Sequence, residues 1–200
     1  RDISSKSPSQ RAPLGLGRTF QAATLFPELT VRETIQVALE ARKRSSFVLS
    51  ALSLDGRAER RQRAEADELI SFLGLGRYAD SFISDLSTGT RRIVELAGLL
   101  AVDAKVLCLD EPTAGVAQRE TEAFGPLIQE IRRELGASML IIEHDMPLIM
   151  SISDRVYCLE SGAVIASGEP TEVRSNPAVV ASYLGTDVRA IERSDSGTTS

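Results

Sequence analysis

Two short apolar runs, Val106-Leu107-Cys108-Leu109 and Ser138-Met139-Leu140-Ile141-Ile142, each end abruptly in acidic residues, and one long helical stretch separates them. Strand, helix, strand in this rhythm is an α/β pattern. In a parallel sheet buried on both faces, a strand reads as a continuous hydrophobic run. The runs therefore predict strands over 105–109 and 138–142. Ligands of open α/β sheets collect at the carboxyl ends of the strands. Asp110 and Glu111 fall at that lip, where a metal-bound phosphate chain could meet them, and Pro112 then breaks the structure. Taken alone, the same residues serve equally well as an ordinary acidic strand-to-turn junction.

The rest of the chain reads around this pair. Residues 4–13 are rich in Ser and Pro and predict a loop or a short helical turn. Leu16 to Gln21 looks like a short strand with a polar end. Pro27 and Thr30 introduce a helix over about 31–44, with Val31, Ile35, Ala38 and Leu39 on one face. An irregular connection over 45–56 leads to a charged helix over about 57–73, closed by Gly74 or Gly76. Arg57, Arg60, Arg61 and Arg63 of that helix interleave with Glu59, Glu65, Asp67 and Glu68, which describes a solvated face rather than a nucleic-acid stripe. Helices are predicted from Ser87 to about Val102 and over 118–135, the latter stopping at Gly136. After the strand at 138–142 come a helix over 146–153 and a hairpin turning at Ser161-Gly162. Two short helices, at 170–175 and 177–184, precede a small polar tail at 194–200.

Composition removes several classes of function. The 200 residues contain 42% hydrophobic residues, enough for one domain with a core. Lys plus Arg number 23 against 28 for Asp plus Glu, a net charge of -5, which argues against a nucleic-acid partner. Cys108 and Cys158 sit inside apolar runs and read as two buried small hydrophobes in a reducing compartment. No apolar run approaches the roughly 20 residues that span a bilayer, and no signal peptide is seen. The reading is cytosolic. Because the chain starts Arg1-Asp2-Ile3, it is also expected to be a fragment.

Four polar elements recur at the ends of apolar segments, and each has a use in binding and cleaving a nucleoside triphosphate. Ser87-Thr88-Gly89-Thr90 opens a helix. Ser87 is a good N-cap, and Gly89 lets phosphate oxygens approach the backbone N–H groups. A charge at an exposed helix N-terminus gains only about 0.3–1 kcal/mol, so this element would act within a larger site or be a plain capped helix. Asp110 is the candidate ligand of Mg²⁺ or its waters. Glu111 is the candidate group for orienting or deprotonating the attacking water. His144, the only histidine, follows directly on the second buried strand and is expected on the same carboxyl edge. Gln21 could reach the metal or the water.

In this order the residues resemble the ATP-binding subunits of ABC transporters. The resemblance implies that Gln21 is the Q-loop glutamine, Leu86 to Thr90 the signature motif and Val106 to Glu111 the Walker B strand with its catalytic glutamate. Thr113 to Ala117 falls where the D-loop lies, and His144 matches the switch histidine. It runs from about residue 10 to 190. The phrases Gly17-Arg18-Thr19-Phe20-Gln21, Leu25 to Val31, Glu143-His144-Asp145-Met146 and Ala181 to Gly185 are similar to the branched-chain amino-acid uptake subunits. The implied fold is a P-loop NTPase-like α/β core with an inserted helical subdomain and its N-terminal strands missing. Residues 1–30 would be the remainder of the N-terminal core and 31–84 the helical subdomain that meets the membrane-spanning subunits. Residues 85–169 would be the second half of the core, and 170–200 C-terminal helices and tail. ATP and Mg²⁺ are the implied cofactors. The implied partners are permease subunits and a second ATP-binding subunit, in a homo- or heterodimer on the inner face of the membrane.

The chain departs from the family pattern at Thr88, at Thr90 in place of the usual Gln, and at Ala117 where most D-loops carry Asp. Among its three lysines, Lys6, Lys43 and Lys105, none follows a glycine, so these residues hold no Gly-x-x-x-x-Gly-Lys loop to cradle the β- and γ-phosphates. By themselves they are expected to bind ATP poorly and, with a sheet edge left open, to dissolve poorly. Two other readings are a catalytically inactive interaction fragment and a non-transport ATPase of the same superfamily. The short segment between Gln21 and Ser87, without sustained heptads, disfavours the latter.

Overall fold

The computed structural model describes residues 2–19, 25–42 and 56–182, with the side chains of 56–58 and 118–120 outside that description. Two compact units make up the chain, Arg1–Glu143 and His144–Ser200.

The first unit is organised on a parallel sheet of β1 (Leu16–Arg18), β2 (Val106–Asp110) and β3 (Ser138–Ile142), in that spatial order. Gly17 pairs with Leu107 and Leu107 with Met139, so every carboxyl end points the same way. A short helix α1 (Pro8–Arg11) and one 3₁₀ turn lead into β1, within the segment read as a loop or helical turn. Helices α2 (Val31–Arg42), α3 (Gly56–Phe72) and α4 (Thr88–Ala101) pack on one another, and α5 (Gln118–Leu135) connects β2 to β3.

Each helix forms for a reason visible in its residues. At the start of α2, Thr30 N–H and Oγ1–H both donate to Glu33 at 2.8 Å, while Glu33 N–H donates back to Thr30 Oγ1 at 3.2 Å. That is a capping box, and Val31, Ile35 and Leu39 then recur on the buried face. Helix α3 is tied to α2 by Arg42–Glu65 at 2.7 Å, by Arg32–Asp67 and by Gln62 donating to the Gln36 carbonyl at 2.7 Å. It stops at Gly74, whose φ of 67° lets Leu75 N–H reach the Ile70 carbonyl at 2.8 Å and Gly74 N–H that of Ser71 at 3.1 Å. Gly74, not Gly76, is thus the stop. Helix α5 buries Phe124, Ile128 and Ile131 and ends on Gly136 in the left-handed region.

The sheet departs from the expectation of strands buried on both faces. Leu107 and Leu109 are fully buried, whereas Val106, Leu140 and Ile142 on the opposite face are exposed, the last two by 60% and 57%. The buried face carries Gly17, where a methyl group would lie 3.0 Å from Ala104 Cβ and 3.2 Å from both Leu99 Cδ2 and Leu107 Cδ2. Only a glycine lets α4 and the turn after it lie this close to β1. Cys108 and Cys158 are free and half-buried rather than buried.

The second unit contains α6 (Met146–Ile152), a hairpin of β4 (Val156–Glu160) and β5 (Ala163–Gly168), α7 (Pro170–Ser175) and a helical stretch at 177–182. Asp145 caps α6 by accepting Leu148 N–H at 3.0 Å. Ser161 and Gly162, with φ of 51° and 82°, form the two-residue turn read from their types. Helix α7 packs on both strands of the hairpin. No helix among the described residues is long and apolar enough to cross a membrane. The connection at 45–55, Tyr183 to Gly185 and the polar tail lie outside the described residues.

Candidate active site at the carboxyl edge of the sheet

Parallel pairing puts the ends of β1, β2 and β3 side by side, and the polar residues that follow each strand meet there. Thr19 N–H donates to the Cys108 carbonyl at 3.0 Å, and Asp110 N–H donates to Thr19 Oγ1 at 3.0 Å. The buried threonine side chain continues the ladder one step past the end of β1. Arg18 Nη2 lies 3.4 Å from Asp110 Oδ2, a long contact from a guanidinium that is 62% exposed. Such a surface pair holds about 0–1 kcal/mol and exchanges readily for another cation.

Glu111 follows with φ of 45°, the left-handed region. A glutamate there costs about 1–2 kcal/mol through contact of its Cβ with the following carbonyl. The conformation is held by its surroundings: Glu111 N–H donates to the Ile142 carbonyl at 2.9 Å, and Ala114 N–H donates to the Glu111 carbonyl at 3.0 Å. Thr113 N–H donates to Glu143 Oε1 at 2.9 Å, and Thr113 Oγ1–H donates to the same oxygen. The turn after β2 is thus stitched to the end of β3.

Ser87 caps α4 as its type requires, accepting Thr90 N–H at 3.2 Å. Ser87 and Thr88 are exposed, while Gly89 and Thr90 are buried. The N–H groups of a first helical turn have no intrahelical acceptor and favour anions. This end of α4 lies beside the turn after β2, because a methyl group on Gly115 would be 3.6 Å from Thr88 Cγ2. Within the first unit, the start of α4 therefore meets the far end of the turn that begins with Glu111, at Gly115. His144 is exposed, at the first position of the second unit and next to the capping Asp145. Gln21 lies outside the described residues.

Among the described residues no group of three or more His, Cys, Asp or Glu could hold a metal by itself. Mg²⁺ at a nucleotide site usually takes one or two carboxylates, with phosphates and waters supplying the rest. The half-buried Asp110 carboxylate, whose contact with the exposed Arg18 is long and exchangeable, fits that limited part. Sequence reading named Thr19, Thr113 and Glu143 only as parts of family-like phrases and gave them no part of their own, since each acts through hydrogen bonds formed just beyond strand ends.

The ABC transporter family matches residues 1–114, more than half of the chain. The chain belongs to that family. The branched-chain amino acid ATP-binding cassette transporter family matches residues 163–189, from β5 onward. The chain is 39% identical over 180 residues to the high-affinity branched-chain amino acid transport ATP-binding protein LivG of Salmonella typhimurium, a match covering 88% of this chain and 70% of LivG. It is 33% identical over 184 residues to the lipopolysaccharide export system ATP-binding protein LptB of Haemophilus influenzae, covering 92% of this chain and 71% of LptB. The crystal structure of the ADP conformation of an ATP-binding cassette of an ABC transporter superposes with a TM-score of 0.73 at 29% identity, over 92% of this chain and 74% of that one. This ABC protein is thus an ATP-binding subunit with the α/β fold of the ATP-hydrolysing cassettes.

Proposed function

We propose that this ABC subunit hydrolyses ATP to drive uptake of branched-chain amino acids, with Glu111 placing the attacking water. The observation that carries the reading is the Asp110–Glu111 pair at the carboxyl end of β2, with Glu111 held in the left-handed region and its turn hydrogen-bonded to the end of β3. Asp110 would hold Mg²⁺, which would supply charge neutralisation at the phosphates. Glu111 would orient the water and accept its proton. His144 and Gln21 would complete the surroundings of the terminal phosphate. Ser87, Thr88, Gly89 and Thr90 would present helix N–H groups to the nucleotide held by a second ATP-binding subunit. These residues hold no Gly-x-x-x-x-Gly-Lys loop for the β- and γ-phosphates.

The helical segment 31–84 would meet transmembrane permeases, placing the subunit at the inner face of the membrane. Uptake is preferred to export because the LivG match is joined by the branched-chain family match at 163–189. The test is leucine-stimulated ATP hydrolysis by the full-length subunit with its permeases in proteoliposomes, wild type against Glu111→Gln. Leucine-stimulated hydrolysis in wild type and none in the variant is expected. Stimulation by a lipopolysaccharide but not by leucine, isoleucine or valine would overturn the substrate. Wild-type turnover in Glu111→Gln would overturn the role of Glu111.

A further inference from the structure

We infer that Glu143 is a positioning residue, whose carboxylate fixes the turn after β2 and through it the catalytic conformation of Glu111. The inference rests on the proposed role of Glu111 and adds to it the part that holds that residue in place. Between Glu111 and Thr113 stands Pro112, which has no N–H. The turn therefore offers donors at 111 and 113 and none between. The first goes to the main-chain carbonyl of Ile142, the last residue of β3, at 2.9 Å. Beyond Ile142 no further residue of β3 pairs with β2. The side chain of Glu143 takes over the acceptor's task, receiving Thr113 N–H at 2.9 Å and the Thr113 hydroxyl on one oxygen. Thr113 is buried, so these donors are shielded from competing water.

Two anchor points, one on each side of Pro112, are what hold Glu111 at φ 45°. With the second released, the turn keeps its tie to Ile142 and its internal Ala114–Glu111 bond but loses the anchor to β3 beyond Pro112. Glu111 then relaxes toward the right-handed or extended region that a glutamate prefers, and its carboxylate swings away from the water it must place. Glu143 touches no reacting atom in this scheme; it acts through the backbone of Glu111.

The experiment uses the full-length subunit and measures steady-state ATP hydrolysis, nucleotide affinity and the thermal midpoint. Glu143→Leu keeps bulk and removes the acceptor. Its kcat is expected to fall by about 100-fold, the scale of an ångström-sized misplacement, while KM and nucleotide Kd stay within about threefold. Glu143→Gln keeps an oxygen acceptor and is expected to recover most of the lost rate. Glu143→Leu with wild-type kcat overturns the inference. So does an equal loss of rate and nucleotide affinity, or a Gln variant as impaired as the Leu variant. Should Glu143→Leu not fold, Thr113→Val decides: it removes one donor at constant shape, a fall of about tenfold in kcat is expected, and an unchanged rate overturns the inference. Glu111→Gln is run alongside. Full activity there removes the role of Glu111 itself, whereas its loss combined with an active Glu143→Leu removes only the role of Glu143.

Discussion

Replacing Glu111 separates what its side chain does from what its backbone costs. The left-handed conformation at φ 45° is held by Glu111 N–H to Ile142, Ala114 N–H to Glu111 and Thr113 to the Glu143 carboxylate, none of which a change of the Glu111 side chain removes. Glutamine keeps the Cβ and the branching of glutamate, so Glu111→Gln retains the backbone cost and removes only the charge. Glycine removes the Cβ contact, a gain of about 1–2 kcal/mol. It also gives back about 0.5–1 kcal/mol through the larger freedom of the unfolded chain. The net is a stabilisation of about 0.5–1 kcal/mol, or about 1–4 °C in melting temperature for a domain of this size. Asparagine tolerates the left-handed region while keeping a Cβ, and avoids most of the unfolded-chain term. The expected order of stability is therefore Glu111→Asn at or above Glu111→Gly, with Glu111→Gln close to wild type. All three should lose hydrolysis. Thermal and urea melts of the full-length protein, read beside ATPase rates, supply the comparison. If glycine and asparagine melt no higher than glutamine, the backbone at 111 stores no strain and the account of how it is held fails.

Other expectations follow from individual contacts. Gly17→Ala places a methyl group 3.0 Å from Ala104 Cβ on the buried face of the sheet. A loss of about 1–3 kcal/mol is expected from denaturant melts, and an unchanged midpoint would show that α4 can shift away. Ser87→Ala removes the acceptor for Thr90 N–H. It should cost about 1 kcal/mol of stability, while a larger fall in turnover than in stability would mark its part in nucleotide contact. The Thr30 backbone N–H, and then its hydroxyl, hold the Glu33 carboxyl below its ordinary value of 4.5. A lowered folded pKa means its stabilisation is present above the unfolded value and is lost as pH falls from about 4.5 through the lower folded value. Glu33→Gln should therefore flatten the acid limb of the stability curve, and an unchanged limb would remove the capping box as its source.

Much of the fold is legible because its punctuation is local. Gly136 ends α5 where the helical period stops, and Gly162 closes the hairpin turn, each with the positive φ that glycine takes freely. Ser87 caps α4 by the same local chemistry. The exposure of Leu140 and Ile142 was not legible. A strand with apolar residues on both faces carries no alternation, so its sequence cannot say that one face is uncovered among these residues.

The site divides along the same line, between what a residue is and what its register makes it do. Asp110 and Glu111 announce themselves because two carboxylates at the end of an apolar run are a compositional event. Thr19, Thr113 and Glu143 are common residues in unremarkable company. Thr19 matters because it stands opposite Leu109, one step past the β1 pairing of Arg18 with Cys108. Glu143 matters because Asp110 pairs with Ile142, so the residue after each falls at the place where the ladder has run out. Neither relation is encoded within fewer than 30 residues of sequence, since Thr113 and Glu143 are 30 apart and Thr19 and Asp110 are 91 apart. Candidate catalytic groups of this sheet stand out in sequence because chemistry restricts their type. The groups that aim them are set by register, and register exists only once the strands have paired.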